Sequence, residues 1–202
     1  MALRLNDKAL RDRETGKLPI LPVSPALRVA MSISTGKKLI IVWHSRTGAA
    51  QQMAQAARQG AMEAIQALEA GPALDVQLVA AADVRAEHLL QADAYLFCAP
   101  ENLGALSGEM KECFDRCYYE VLDRCNGRVY ALIIAAGTDG AAAARQAERI
   151  CTGWRLRAAA PPLIIRNGAQ TPEAILAPKT VAYADLARCQ EMGGTLAALL
   201  LL

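Results

Sequence analysis

The sequence predicts an α/β protein, a five-stranded parallel sheet with helices wound on both faces. Three observations carry that expectation. Five short apolar runs of strand length recur along the chain, separated by stretches with one apolar helical face. Most of the runs are apolar at every position, as strands covered on both faces by helices must be. Each connection is long enough to hold a helix, and parallel strands require such crossovers, right-handed in nearly all cases.

The first run is 39–43. After it, Met53, Ala57, Ala61, Ala64 and Leu68 recur at three- and four-residue steps and form one face of a helix. A second run, 74–80, leads into a shorter helix over 83–91, and a third run covers 94–99. Met110, Phe114, Cys117 and Val121 form the next apolar stripe. On its wet side Lys111 stands four residues before Asp115, and Glu112 four before Arg116, the spacing that brings opposite charges together. The fourth run, 129–135, precedes a helix over 141–153, and the fifth is 163–165. Ala182, Leu186, Cys189, Gly193, Leu196 and Leu200 mark the last helix.

Residues 1–36 do not share this periodicity and are read as an N-terminal extension to a domain at 37–202. Asp7, Asp12 and Glu14 fall where the apolar stretch of a secretory signal would lie, and Met31 is an alternative start. The 202 residues are 53% hydrophobic, 21% charged and 4% aromatic, which excludes disordered, collagen-like and coiled-coil classes. No run approaches the ~20 apolar residues of a membrane span. Twenty-two basic residues against 20 acidic ones give a net charge of +2, so no one-sided field argues for nucleic acid. Six cysteines without a C-x-x-C pair, and only two histidines, argue against a metal site or a disulfide framework. The expected compartment is a reducing cytoplasm.

In open α/β sheets, ligands bind beyond the carboxyl ends of the strands, where strand order reverses. The loop after the first run is His44-Ser45-Arg46-Thr47-Gly48-Ala49-Ala50-Gln51. Hydroxyls, a glycine and the free amides of a helix start suit an anion. It is neither a Walker A loop nor G-x-G-x-x-G, so nucleotide hydrolysis and Rossmann binding lose support. On its own the loop reads equally as a phosphate site or a capped turn. After the third run comes Cys98-Ala99-Pro100-Glu101-Asn102-Leu103-Gly104-Ala105-Leu106-Ser107-Gly108, with Lys111 and Asp115 following.

Together these loops, Ser-x-Thr-Gly and Pro-Glu-Asn-x-Gly-x-x-Ser-Gly-x-x-Lys-x-x-x-Asp, resemble those of the flavodoxin-like flavoproteins. The nearest branch is the NAD(P)H-dependent FMN reductases and quinone reductases, and the resemblance covers about residues 37–200. It implies a sheet of order 2-1-3-4-5 with FMN at the switch point. Ser45, Arg46, Thr47, Gly48, Ala49 and Ala50 would hold the phosphate. Pro100, Glu101, Asn102, Leu103 and Gly104 would line the isoalloxazine, mostly by backbone groups. The loop after the fourth run, with Gly137, Thr138 and Asp139, would close the other side. No catalytic side chain is implied, because hydride chemistry belongs to the cofactor.

Two departures shape the functional expectation. Ala50 stands where flavodoxins carry a third hydroxyl residue, and the second loop lacks the aromatic side chains that cover the flavin there. An open flavin face favours a reductase that takes hydride from NAD(P)H and passes it to a quinone, flavin or other small acceptor. A homodimer or tetramer goes with this reading. The alternatives are a non-catalytic flavin-binding module and a one-electron carrier. Outside the loops, His44 reads as a ligand contact or a bonded strand end, and Cys98 as a redox group or a buried hydrophobe. Tyr118 and Tyr119 read as a dimer surface or a half-buried pair. Arg145 follows the third loop and reads as a nicotinamide-phosphate contact or a solvated side chain.

Overall fold

Leu39 to Val42 are buried on both faces of β1 (Lys37–Trp43), as an unbroken apolar run requires. A computed structural model describes the chain over residues 36–202. The expected extension up to residue 35 and the alternative start at Met31 lie outside the described residues. After β1 come α1 (Ala49–Ala67), β2 (Leu74–Ala80), α2 (Ala86–Gln91), β3 (Ala94–Asn102), β4 (Ala105–Leu106) and α3 (Gly108–Val121). Then follow β5 (Val129–Ala136), α4 (Ala141–Gly153), β6 (Arg157–Ala158), β7 (Leu163–Arg166), α5 (Pro172–Leu176) and α6 (Tyr183–Leu201).

The strands run β2-β1-β3-β5, and both β6 and β7 pair in parallel with β5. Taken as one interrupted strand, β6 and β7 complete the expected 2-1-3-4-5 order. Among the described residues the strand count is seven rather than five, for two physical reasons. Between the paired stretches, β5 spends residues 131–132 while its partner spends 159–162. Pro161 and Pro162 lie in that excess and offer no N–H to a ladder, so the edge strand bulges out. The other addition is β4, which folds back antiparallel on β3 with Asn102 opposite Ala105. Leu103 (φ 51°) and Gly104 (φ 70°) make the two-residue turn between them, the double positive φ that tight hairpins need.

Alternate residues of each strand face opposite layers. Ile40, Val42, Tyr95, Phe97 and Leu132 pack with α2, α3 and α4, through Leu89, Met110, Phe114 and Ala147. Leu39, Ile41, Leu96, Cys98 and Ile133 pack with α1 and α6, through Met53, Ala57, Cys189 and Leu196. Helices α1 and α6 touch backbone to backbone: a Cβ on Gly193 would lie 1.8 Å from the Ala57 carbonyl oxygen, and one on Gly60 would lie 2.0 Å from that of Gln190. The short helix expected over 83–91 begins at Ala86, after a 3₁₀ turn at Ala81–Asp83. Helix α5 goes beyond the five that the sequence predicts, making six α-helices among the described residues. Thr171 accepts the Ala174 amide at 3.3 Å and Pro172 holds the first turn. Among the described residues no helix is long and apolar enough to cross a membrane.

Candidate functional site

The chain leaves β1 toward β2 on one side and toward β3 on the other, so the reversal of strand order falls between β1 and β3. The loops after β1, β3 and β5 meet at that edge. In the first, Gly48 sits before α1 in the left-handed conformation (φ 89°, ψ −14°), and among the described residues no side chain caps the helix. The amides of Ala49, Ala50 and Gln51 therefore have no partner within the helix and lie at the positive end of its 19 residues. Ser45 Oγ accepts the Gly48 amide at 3.1 Å, which shapes the loop and leaves the hydroxyl proton to be donated. Ala49 and Ala50 are buried and offer only backbone.

A strap not foreseen in the sequence holds this loop from outside. The Lys179 amide donates to the Thr47 carbonyl at 2.7 Å. Gln52, one turn into α1, donates through Nε2 to the carbonyls of Gly48 (3.0 Å) and Lys179 (2.7 Å). Its Oε1 accepts the Val181 amide at 3.1 Å. The Lys179 ammonium donates to the carbonyls of Ala174, Ile175 and Ala177, closing the end of α5.

The first loop is also tied to the second. The His44 amide donates to the Cys98 carbonyl at 3.0 Å, and His44 Nδ1 lies 2.9 Å from Ser107 Oγ. Ser107 is fully buried and directly precedes α3, yet its hydroxyl serves His44 rather than its own helix. Glu109 faces both His44 Nε2 (3.5 Å) and Arg46 Nη2 (3.4 Å). Burial holds the His44 imidazole below its ordinary value; Glu109 opposes that shift, and Arg46 adds to it. Glu109 is held low first by its own backbone amide, then by the nearby charges of His44 and Arg46. His44 is thus a bonded strand end, and Arg46 reaches toward α3.

In the second loop, the Pro100 carbonyl accepts the Ser107 amide at 3.0 Å, and Gln146 Oε1 accepts the Leu106 amide at 2.7 Å. Leu103 is fully exposed at the hairpin tip. A Cβ on Gly104 would meet nothing within 4 Å among the described residues, so glycine is needed there for its positive φ rather than for space. Glu101 reaches into the third loop, where its Oε2 accepts the Gly140 amide at 2.9 Å. Gly137 lies close to residues 168–169: its carbonyl accepts the Gly168 amide at 2.8 Å. Arg166 Nε donates to the Asp139 carbonyl at 2.9 Å, while the side chains of Thr138 and Asp139 face solvent.

Pro100, Asn102 and the other loop residues thus come together at one sheet edge. Cys98 lies beneath it, fully buried, its Sγ donating to the Ala50 carbonyl at 3.1 Å. Burial pushes its thiol well up, away from redox reactivity. Arg145 is exposed one turn beyond the third loop, and Tyr119 stands 82% exposed on α3 beside Tyr118.

The residues present fit a phosphate ester. A helix start with no side-chain cap, a left-handed glycine and the hydroxyl-bearing Ser45 and Thr47 together supply donors and positive potential where an anion would lie. Residues 44–168, more than half of the chain, match the family described as NADPH-dependent FMN reductase. The chain belongs to this NADPH-dependent FMN reductase family. No curated protein sequence matches it. Among solved structures it is similar to a flavodoxin from the domain Archaea (TM-score 0.64, 18% identity, covering 82% of this chain and 99% of that one). A WrbA-like flavodoxin from Agrobacterium tumefaciens gives TM-score 0.56 at 17% identity, covering 81% and 97%. An oxidoreductase from Corynebacterium diphtheriae gives 0.58 at 17% identity, covering 82% and 97%. The fold of this FMN reductase family member is therefore flavodoxin-like, as the two loops implied.

Proposed function

We propose that this member of the NADPH-dependent FMN reductase family is an FMN-binding oxidoreductase that takes hydride from NAD(P)H and passes it to a quinone, a flavin or another small acceptor. The start of α1 behind left-handed Gly48, with no side-chain cap, is the observation that supports FMN binding. In it the backbone amides of Ala49 to Gln51 and the hydroxyls of Ser45 and Thr47 hold the phosphate. Pro100 to Gly104, Gly137, Thr138 and Asp139 line the ring. Bound FMN would supply the two-electron chemistry. The chain's own part is to bind, orient and leave one face of the ring open, since neither ring-facing loop carries an aromatic side chain.

All six cysteines are buried free thiols, which suits a reducing cytoplasm. A homodimer or tetramer belongs to the same reading, with Tyr118 and Tyr119 as a candidate contact. The test is steady oxidation of NADH and NADPH by the flavin-loaded protein with a quinone acceptor. Turnover well above that of free FMN supports the reductase. Flavin uptake without turnover would assign a carrier or a non-catalytic module instead.

A further inference from the structure

We propose that Glu101 is a positioning residue that fixes the gap between the two ring-facing loops and lowers the reduction potential of the flavin by placing a negative charge beside them. The inference rests on the FMN reading above. Glu101 lies where β3 turns into the β4 hairpin, opposite Leu106. Its carboxylate crosses to the third loop and accepts the Gly140 amide at 2.9 Å.

The receiving end is rigid. Gly140 has φ 80°, and a Cβ there would lie 2.5 Å from Ile164 Cγ2 and 2.9 Å from Ala136 Cβ. It is wedged against β5 and β7, so Glu101 ties a hairpin to a fixed point. Gln146 gives a second tie, from α4 to the Leu106 amide at 2.7 Å. The two ties differ in charge. Gly140 precedes a 13-residue helix that has no side-chain cap from its own segment. The positive end of α4 is therefore met by Glu101, a carboxylate borrowed from another loop.

That arrangement has a consequence for electron transfer. Reduction adds negative charge to the ring, and a carboxylate between the ring-facing loops opposes it. Asp139, exposed in the third loop, carries the same sign; Arg166, bonded to the Asp139 carbonyl, and Arg145, exposed one turn beyond the loop, carry the opposite one. A lower potential makes the reduced flavin a stronger donor to its acceptor.

Two substitutions separate charge from geometry. Glu101→Gln keeps an oxygen that can accept the Gly140 amide but removes the charge. It should bind oxidised FMN within about threefold of the wild type while favouring reduced FMN about tenfold, a rise of about 30 mV in the two-electron potential. Glu101→Ala removes the tie, and should weaken FMN binding about tenfold and speed hydrogen exchange at the Gly140 amide in flavin-free protein. An unchanged potential in Glu101→Gln overturns the electrostatic half. Unchanged Gly140 exchange and FMN affinity in Glu101→Ala overturn the positioning half. Exchange needs no flavin, so a chain that takes up no FMN defeats the functional reading and the potential with it, while the tie is still judged by exchange.

Discussion

Ser45 and Thr47 act differently in the first loop. Ser45 Oγ accepts the Gly48 amide, whereas Thr47 is held by its carbonyl, and its hydroxyl meets no partner among the described residues. Thr47→Val removes that donor without touching the strap. It should cost about 1–3 kcal/mol of FMN affinity and leave riboflavin affinity unchanged, as read by fluorescence titration. His44 makes a pH prediction. Its folded-state value lies below the ordinary ~6.5, so below that pH the unfolded chain binds the extra proton first. Stability should be fully present above pH ~6.5, fall as the pH drops toward the folded-state value, and level off beneath it. Glu109 is depressed too, so its contribution is lost only in the lower carboxylate range. Urea midpoints of the wild type and His44→Gln should converge as the pH falls from 7 toward 5; parallel profiles would show that His44 does not titrate in this window. The sequence pointed to Ser45, Thr47 and Gly48 because hydroxyls and glycine beside a helix start have a local reason to be there. It could not show that His44 meets Ser107, since that contact spans 63 positions and no periodicity encodes it.

Helices α1 and α6 show what periodicity conveys and what it leaves out. The stripe through Cys189, Gly193 and Leu196 marked a buried face, but not that Gly193 would rest on the backbone of α1. Gly193→Ala should cost about 1–3 kcal/mol, because its Cβ meets the Ala57 carbonyl and the helices must move apart. Gly194→Ala, whose Cβ would lie 3.3 Å from the Gly60 oxygen, should be tolerated far better. Chemical unfolding of the two variants checks the contrast, and equal losses would mean that the crossing is not the constraint. The interrupted edge strand was half legible. Leu163 to Ile165 are an apolar run, whereas Arg157 and Ala158 are exposed and carry no strand pattern. Helix α5 did leave a signature, Thr171-Pro172-Glu173, a capping residue followed by proline and an acid. The strap after it left none, because Lys179 and Val181 bind through backbone groups.

At the scale of the whole molecule, alternation of apolar runs and amphipathic stretches was enough for a parallel sheet covered on both faces. Strand order was not contained in that alternation. It followed from the resemblance of two loops, and the β2-β1-β3-β5 order agrees with it. If these loops build a monophosphate site at the switch point, titration of flavin-free protein with FMN, riboflavin and FAD will show it. Charge-assisted bonds to the phosphate contribute about 1.5–3 kcal/mol each. Even without a hydroxyl at position 50, FMN should bind at least ~100-fold tighter than riboflavin, about 2.7 kcal/mol. FAD should bind more weakly than FMN, because the strap from Ala177 to Val181 closes the outer side of the loop that its second phosphate would have to pass. Equal affinity for FMN and riboflavin would contradict a phosphate site and reduce the start of α1 to an ordinary turn.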